Sequence, residues 1–248
     1  MKNAITAIGY DKIPKEGNTD STAIICIAGT GCQRGILRFL ANELTTGDVF
    51  LVDLPAHGDC PVKETGLNEY TIYITNFIAR LKREGYKKVF LVGHSLGGTI
   101  VMNALAHNIT YASGGIVISG AAKFDEFDPE FVDGLKNGEI LLDKLLGDSP
   151  MPPAEIDGIK LLDSEEITLV DYLIDSELDI TSDLMYIDTP ILYLVGTEDE
   201  IITKGYIEVL ENNIKYFSKE LFEGYTHALP VTLPKEVANH IDKFIKEI

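Results

Sequence analysis

Residues 22–28 read TAIICIA, a run too continuously apolar for a strand with one wet face. Such a run suits a parallel strand covered on both sides. Similar short runs recur at 49–54, 88–92, 115–119, 190–195 and around 215–222, and residues 4–10 suit an early edge strand. Between them stand helical patterns at 33–44, 70–83, 96–107, 204–212 and 235–248. In the second of these, Ile74, Phe77, Ile78 and Leu81 share one face. Alternating strands and helices of this kind predict an α/β fold with a mostly parallel sheet and helices on both faces.

The rhythm breaks between residues 121 and 188, where no strand-like run is evident and short helices are expected. Asp128-Pro129 reads as an N-cap with Pro at N1. Ser164 can cap a helix carrying Ile167, Val170 and Ile174, and Leu141, Leu142, Leu145 and Leu146 make a 3-4 stripe. The segment holds 12 Asp and 7 Glu against 4 Lys and no Arg, a balance of −15 out of a chain total of −18. The organisation this implies is a core of residues 1–120 and 189–248, interrupted by an acidic helical insertion at 121–188.

That acidity makes nucleic acid and anionic lipid surfaces poor partners. Residues 89–106 approach the length of a membrane span, but His94, Ser95, Asn103 and three glycines divide the stretch into strand and helix. No export signal is visible, and three cysteines (Cys26, Cys32, Cys60) without paired spacing fit a reducing compartment. A cytoplasmic protein without a membrane span is the expectation. No spacing of His, Asp and Glu suggests a metal. Gly29-x-Gly31 is not completed as a dinucleotide loop, because position 34 is Arg. No cofactor is expected.

Gly93-His94-Ser95-Leu96-Gly97 fits G-x-S-x-G. Chance alone would place this pattern in roughly 7% of chains of such composition, so its context decides. A strand precedes it and a helix follows it. A serine at a tight strand-to-helix turn needs small neighbours, and the turn lifts its hydroxyl above the sheet beside a helix N-terminus. A serine is a poor nucleophile until a base removes its proton. Asp199 follows the run 190–195 and His227 follows the run ending near Phe222, so both are placed to leave the same sheet edge. Glu198 and Glu200 flank the acid and are the alternatives to it. His57 lies in a loop after a strand and reads as a turn element, and His94 as packing beside the serine. Cys60 reads as a small turn residue or a reactive thiol.

Taken with Ile24 to Gly31 (IICIAGTG), Asp53 to Gly58 (DLPAHG) and Gly224-Tyr225-Thr226-His227, these motifs make the chain resemble the α/β-hydrolase superfamily. The likeness is to its small lipase/esterase-like members with a helical cap. The chain order Ser95, Asp199, His227 is the one that resemblance requires. By resemblance, the oxyanion hole would use the backbone N–H groups of Leu96 and Thr30. One departure is Ala28-Gly29 where the family usually has His-Gly, which bears on the geometry of the loop carrying Thr30. The implied activity is cleavage of carboxylic esters of small, neutral substrates through an acyl-enzyme on Ser95. Thioesterase, acyltransferase, perhydrolase and carbon–carbon hydrolase members would use the same triad, and a receptor on this fold would use none of its chemistry. The acidic insertion, if it roofs the pocket, would favour neutral or cationic esters over anionic ones. The sequence carries no signal for oligomeric state.

Overall fold

The computed structural model describes residues 9–17, 21–107, 111–146 and 153–248. In chain order the strands are β1 (Tyr10–Ile13), β2 (Thr22–Ile27), β3 (Asp48–Val52), β4 (Lys88–His94), β5 (Gly114–Ile118), β6 (Glu155–Ile156), β7 (Ile159–Lys160), β8 (Ile191–Gly196) and β9 (Phe217–Phe222). Seven of them form one sheet in the order β1-β3-β2-β4-β5-β8-β9, while β6 and β7 pair separately. Every neighbour in the large sheet is parallel except β1, which runs antiparallel to β3. The helices are α1 (Arg38–Glu43), α2 (Leu67–Arg83), α3 (Leu96–Ala106), α4 (Pro129–Lys136), α5 (Asp143–Leu146), α6 (Glu165–Glu177), α7 (Lys204–Asn213), α8 (Leu229–Thr232) and α9 (Pro234–Glu247).

The apolar run 22–28 has the burial its composition requires. In β2, Ala23, Ile25 and Ile27 enter a core shared with α2, α3 and α7, while Ile24 and Cys26 enter a second core shared with α1 and α9. The period of two therefore assigns alternate residues to two helical layers. Each fully buried isoleucine contributes about 1.5–3 kcal/mol relative to an exposed one. β9, at the sheet edge, exposes Ser218 to Leu221 instead.

The strand order reverses at β2. The chain steps from β2 to β3 on one side, and β4 lies on the other. Loops leaving the carboxyl ends of β2 and β4 therefore diverge and open a crevice between them. The stretch 89–106 divides there into β4 and α3, with Ser95 at the break. Among the described residues no helix is long and apolar enough to cross a membrane.

Of the early strand expected at 4–10, residues 4–8 lie outside the described ones; the described edge strand is Tyr10–Ile13, where Tyr10 seats its ring against Phe50 and Phe77. One expectation is corrected. The 121–188 segment does contain strands: β6 and β7 form a hairpin around Asp157-Gly158, both at positive φ, as a two-residue type I′ connection demands. α6 carries Ile167, Val170 and Ile174, all partly buried, and Ile174 packs against the core. The two buried residues of the helix are Asp171 and Asp175. Asp128 and Ser164 do cap α4 and α6, accepting from Glu130 and Phe131 N–H and from Ile167 N–H respectively. The leucine stripe yields only the single turn α5.

Candidate active site

Ser95 sits between β4 and α3 at φ 55°, ψ −123°, a conformation costly for a residue with a side chain. The turn closes because its neighbours are glycines. A Cβ on Gly93 would collide with the Gly97 carbonyl, and one on Gly97 with the carbonyls of Ile27 and Ala28. Ser95 N–H donates to the Ile118 carbonyl at 2.9 Å, tying the elbow to β5. Its hydroxyl makes no capping bond to α3 and so is available to the cavity beside it. Leu96 opens α3, where a backbone N–H has no upstream helical carbonyl to bind.

The loop after β2 lies directly against this elbow. A Cβ at Gly29 would come within 2.8 Å of Ser95 Cβ, so only glycine permits the approach that brings Thr30 to the same cavity. Where the family's usual histidine is missing, the 121–188 segment holds this loop. Cys32 bridges Leu162, Gln33 N–H donates to the Leu161 carbonyl, and Asp163 N–H donates to the Gly31 carbonyl. Gly31 N–H donates to Asp171 at 2.9 Å, and Thr30 Oγ1 donates to Asp175 at 2.6 Å.

His227 follows β9, and Asp199 follows β8. The His227 ring Nδ1 lies 3.0 and 3.1 Å from the two Asp199 oxygens, and Asp199 also accepts from Ile201 and Ile202 N–H. Burial opposes charge at both groups, yet each favours the other's ionised form: His227 is held above, and Asp199 below, its ordinary value. Glu200 does not reach the ring. It accepts instead from His227 backbone N–H at 3.2 Å, and Glu198 is exposed. His94 has a role beyond packing, since its Nε2–H donates to the His227 carbonyl at 2.9 Å. Burial, then the neighbouring His227 charge, pushes His94 down to about 3 and keeps it neutral.

Ser95, Thr30 and His227 line one cavity of about 300 Å³. Its other walls are largely apolar: Ile36, Phe124, Phe127, Leu145, Leu162 and Val231 among them. Phe127 stacks on Phe124 and meets Phe131 edge-on, and Phe131 meets Tyr172 likewise, so Phe131, itself off the wall, links the lining residues Phe124, Phe127 and Tyr172. Asp175 and Glu200 are the carboxylates on the described wall, and no lysine or arginine is there. Cys32 also lies on it, its thiol pushed up to about 12 by burial. Among the described residues no cluster of three or more His, Cys, Asp or Glu is placed to hold a metal. Cys60 is buried and donates to Tyr73 Oη.

The residues that sequence reasoning missed are Asp171 and Asp175. Asp171 is fully buried and accepts from Tyr70 Oη and His57 Nε2, each at 2.8 Å, as well as from Gly31 N–H. His57 Nδ1 meets the Pro55 carbonyl at 2.9 Å. Both ring nitrogens thus face acceptors. Burial would lower His57, but the hydrogen bond and charge of Asp171 hold it above the ordinary histidine value. The result is a buried histidine–carboxylate pair joining the loop after β3 to α6. Removing one partner of such a pair leaves the other uncompensated, so Asp171→Asn should cost about 3–5 kcal/mol in urea unfolding. His57 protonation contributes stability that is fully present below its unfolded pKa of about 6.5 and is lost as pH rises through the raised folded value. The gap between wild type and Asp171→Asn should therefore narrow from pH 6 to pH 9. A gap that is constant or widens would refute the charged pair.

Comparison with known proteins gives the class. The model of the alpha/beta hydrolase family matches residues 24–240, and the chain belongs to that family. A lipase-esterase related protein from Clostridium acetobutylicum superposes with a TM-score of 0.84 at 22% identity, over 96% of this chain and 99% of that one. An esterase from Exiguobacterium antarcticum does so with 0.79 at 18% identity, over 96% and 95%. At these identities the likeness is one of fold, and the fold is the expected α/β-hydrolase fold. A 2-succinyl-6-hydroxy-2,4-cyclohexadiene-1-carboxylate synthase from Serratia proteamaculans is 29% identical over 110 residues, 44% of this chain. The match spans 42% of that relative's length.

Proposed function

We propose that the protein is a serine hydrolase of carboxylic esters, with segment 121–188 as a cap over the pocket. The observation that carries this reading is a single apolar cavity walled by both Ser95 and His227, with Asp199 hydrogen-bonded behind the imidazole. In this mechanism Ser95 Oγ attacks the acyl carbon while His227 Nε2 takes its proton. The N–H groups of Leu96 and Thr30 stabilise the oxyanion, and each donor of this kind is worth about 10²- to 10³-fold in rate. His227 then protonates the departing alcohol. Water, deprotonated by His227, releases the acid and restores Ser95.

A second reading follows from the Serratia relative, whose name specifies a carboxylate-bearing product. A described wall with no lysine or arginine would leave an anionic substrate without a cation to pair with, and this favours neutral esters instead. Thioesterase, acyltransferase, perhydrolase and carbon–carbon hydrolase chemistry would use the same residues. A panel of esters, thioesters and diketones tests these, and matched cationic, neutral and anionic esters test the charge argument. Esters should turn over fastest, and the anionic member should be disfavoured about tenfold or more in kcat/KM at low salt. Because the −15 balance of the cap acts through solvent, salt should shrink that preference as screening falls to about 8 Å. Faster turnover of a thioester or diketone sinks the ester assignment. A flat cationic-to-anionic ratio near one removes the cap charge from selection.

A further inference from the structure

Asp175 presents one oxygen to Thr30 and leaves the other without a partner. Oδ2 accepts from Thr30 Oγ1 at 2.6 Å, while Oδ1 is buried with no hydrogen-bond partner among the described residues. The residue is only 3% exposed, and it forms part of the wall of the Ser95 cavity. Anchoring the loop after β2 requires only Oδ2, and lining an apolar pocket requires no carboxyl at all. A buried, unsatisfied carboxyl oxygen is costly to maintain, and because it belongs to a residue that walls a ligand cavity, a small side-chain adjustment on binding would let a ligand group supply the missing partner and be oriented by it.

We propose that Asp175 is a specificity-determining residue that hydrogen-bonds a hydroxyl group of the substrate, making hydroxylated esters the preferred class. The inference rests on the ester reading above. The chemistry selects a hydroxyl rather than another group. Burial, with Asp171 one helical turn away, drives the Asp175 carboxyl well above its ordinary range, and so favours the protonated acid. With Thr30 donating to Oδ2, the acid proton on Oδ1 has no acceptor in the protein, and a substrate hydroxyl oxygen supplies one. If the group ionises, the same hydroxyl donates to it. A methyl group satisfies neither form. A cationic amine would pair with the ionised form alone, and a carboxylate would be repelled by any ionised Asp175.

Two isosteric pairs test both sides of the ester bond. On the alcohol side they are 2-hydroxyethyl butyrate and propyl butyrate, and on the acyl side ethyl 3-hydroxybutyrate and ethyl 3-methylbutyrate. In at least one pair, wild type should prefer the hydroxyl member by about tenfold or more in kcat/KM, since a site with a buried polar group rejects the analogue that cannot pair with it. Asp175→Asn, which keeps an acceptor for Thr30 and a donor for the cavity, should retain the preference. Asp175→Leu should bring the ratio to one or below, and Asp175→Ala gives the same reading where the leucine variant does not fold. A purely structural role would change stability and both members of each pair together, leaving the ratio intact. Binding of the four compounds to Ser95→Ala, by calorimetry, separates this inference from the ester reading. If no ester turns over but hydroxyl members still bind about tenfold tighter, and lose that advantage with Asp175→Leu added, the ester reading falls and the Asp175 assignment stands. Ratios near one in both pairs for wild type, or ratios unchanged by Asp175→Leu, overturn it.

Discussion

Ser95→Ala should lower kcat by about 10⁴-fold or more, as removal of the nucleophile does in a triad whose members act as a unit. The size of the effect follows from the arrangement. His227 and Asp199 would remain paired, and the N–H groups of Leu96 and Thr30 would remain in place, but no atom would be left to form the acyl-enzyme. The loss should be chemical, because alanine occupies the same backbone position and Ser95 N–H still donates to Ile118. Far-UV circular dichroism and the urea midpoint should therefore match wild type. Ser95→Gly should be equally inactive but about 1 kcal/mol more stable, since φ 55°, ψ −123° is a region in which glycine is not strained. A fluorophosphonate should label Ser95 and no other serine, read by mass spectrometry of the digested protein. Labelling elsewhere, or a Ser95→Ala variant with full activity, would end the serine-nucleophile reading.

The sheet and its helices were legible because burial on two faces leaves a mark on every residue. β2, β4, β5 and β8 are nearly all apolar, and the helices between them carry 3-4 stripes. The elbow was legible because its glycines answer to backbone collisions that no other residue avoids. The 121–188 segment was harder. Its hairpin did carry a local signal, Ile156-Asp157-Gly158-Ile159, but strands of two residues are too short to show a period of two. Asp171 and Asp175 were hidden for a different reason. A helix is ordinarily oriented by its apolar stripe, and α6 has one in Ile167, Val170 and Ile174. Beside that stripe, Asp171 and Asp175 meet polar partners that need an acceptor: Gly31 N–H, Thr30 Oγ1, Tyr70 Oη and the His57 ring. Those donors come from three separate loops and helices, so no local window of sequence contains the reason for the aspartates. A buried polar network is a tertiary property, and here it anchors the loop that carries Thr30 and Gly31.

Asp199→Asn should lower kcat by up to about 10⁴-fold while leaving the fold intact. The asparagine oxygen can still accept from Ile201 and Ile202 N–H, which preserves the loop after β8. What changes is the imidazole. In the proposed mechanism Asp199 fixes the proton on His227 Nδ1, which leaves Nε2 to act as the base toward Ser95. An amide facing Nδ1 favours the other tautomer, with the proton on Nε2 and no base at the serine. The pH profile carries a second, independent mark. The Asp199 charge holds His227 above its ordinary value against the opposing effect of burial. Since the base acts in its neutral form, kcat/KM of wild type should rise through that raised pKa. Removing the carboxylate removes the stabilisation of the imidazolium, so the acid limb of Asp199→Asn should move to lower pH even as its plateau falls. Glu200→Gln should differ in kind. Glu200 accepts from the His227 backbone and contributes only a weaker field, so its limb should move slightly down with less than about tenfold loss. Glu198→Gln, at an exposed position, should behave as wild type. If Glu200→Gln collapses activity while Asp199→Asn runs near wild type, the carboxylate that orients His227 during turnover is not the one that faces it here, and the loop after β8 must rearrange around substrate.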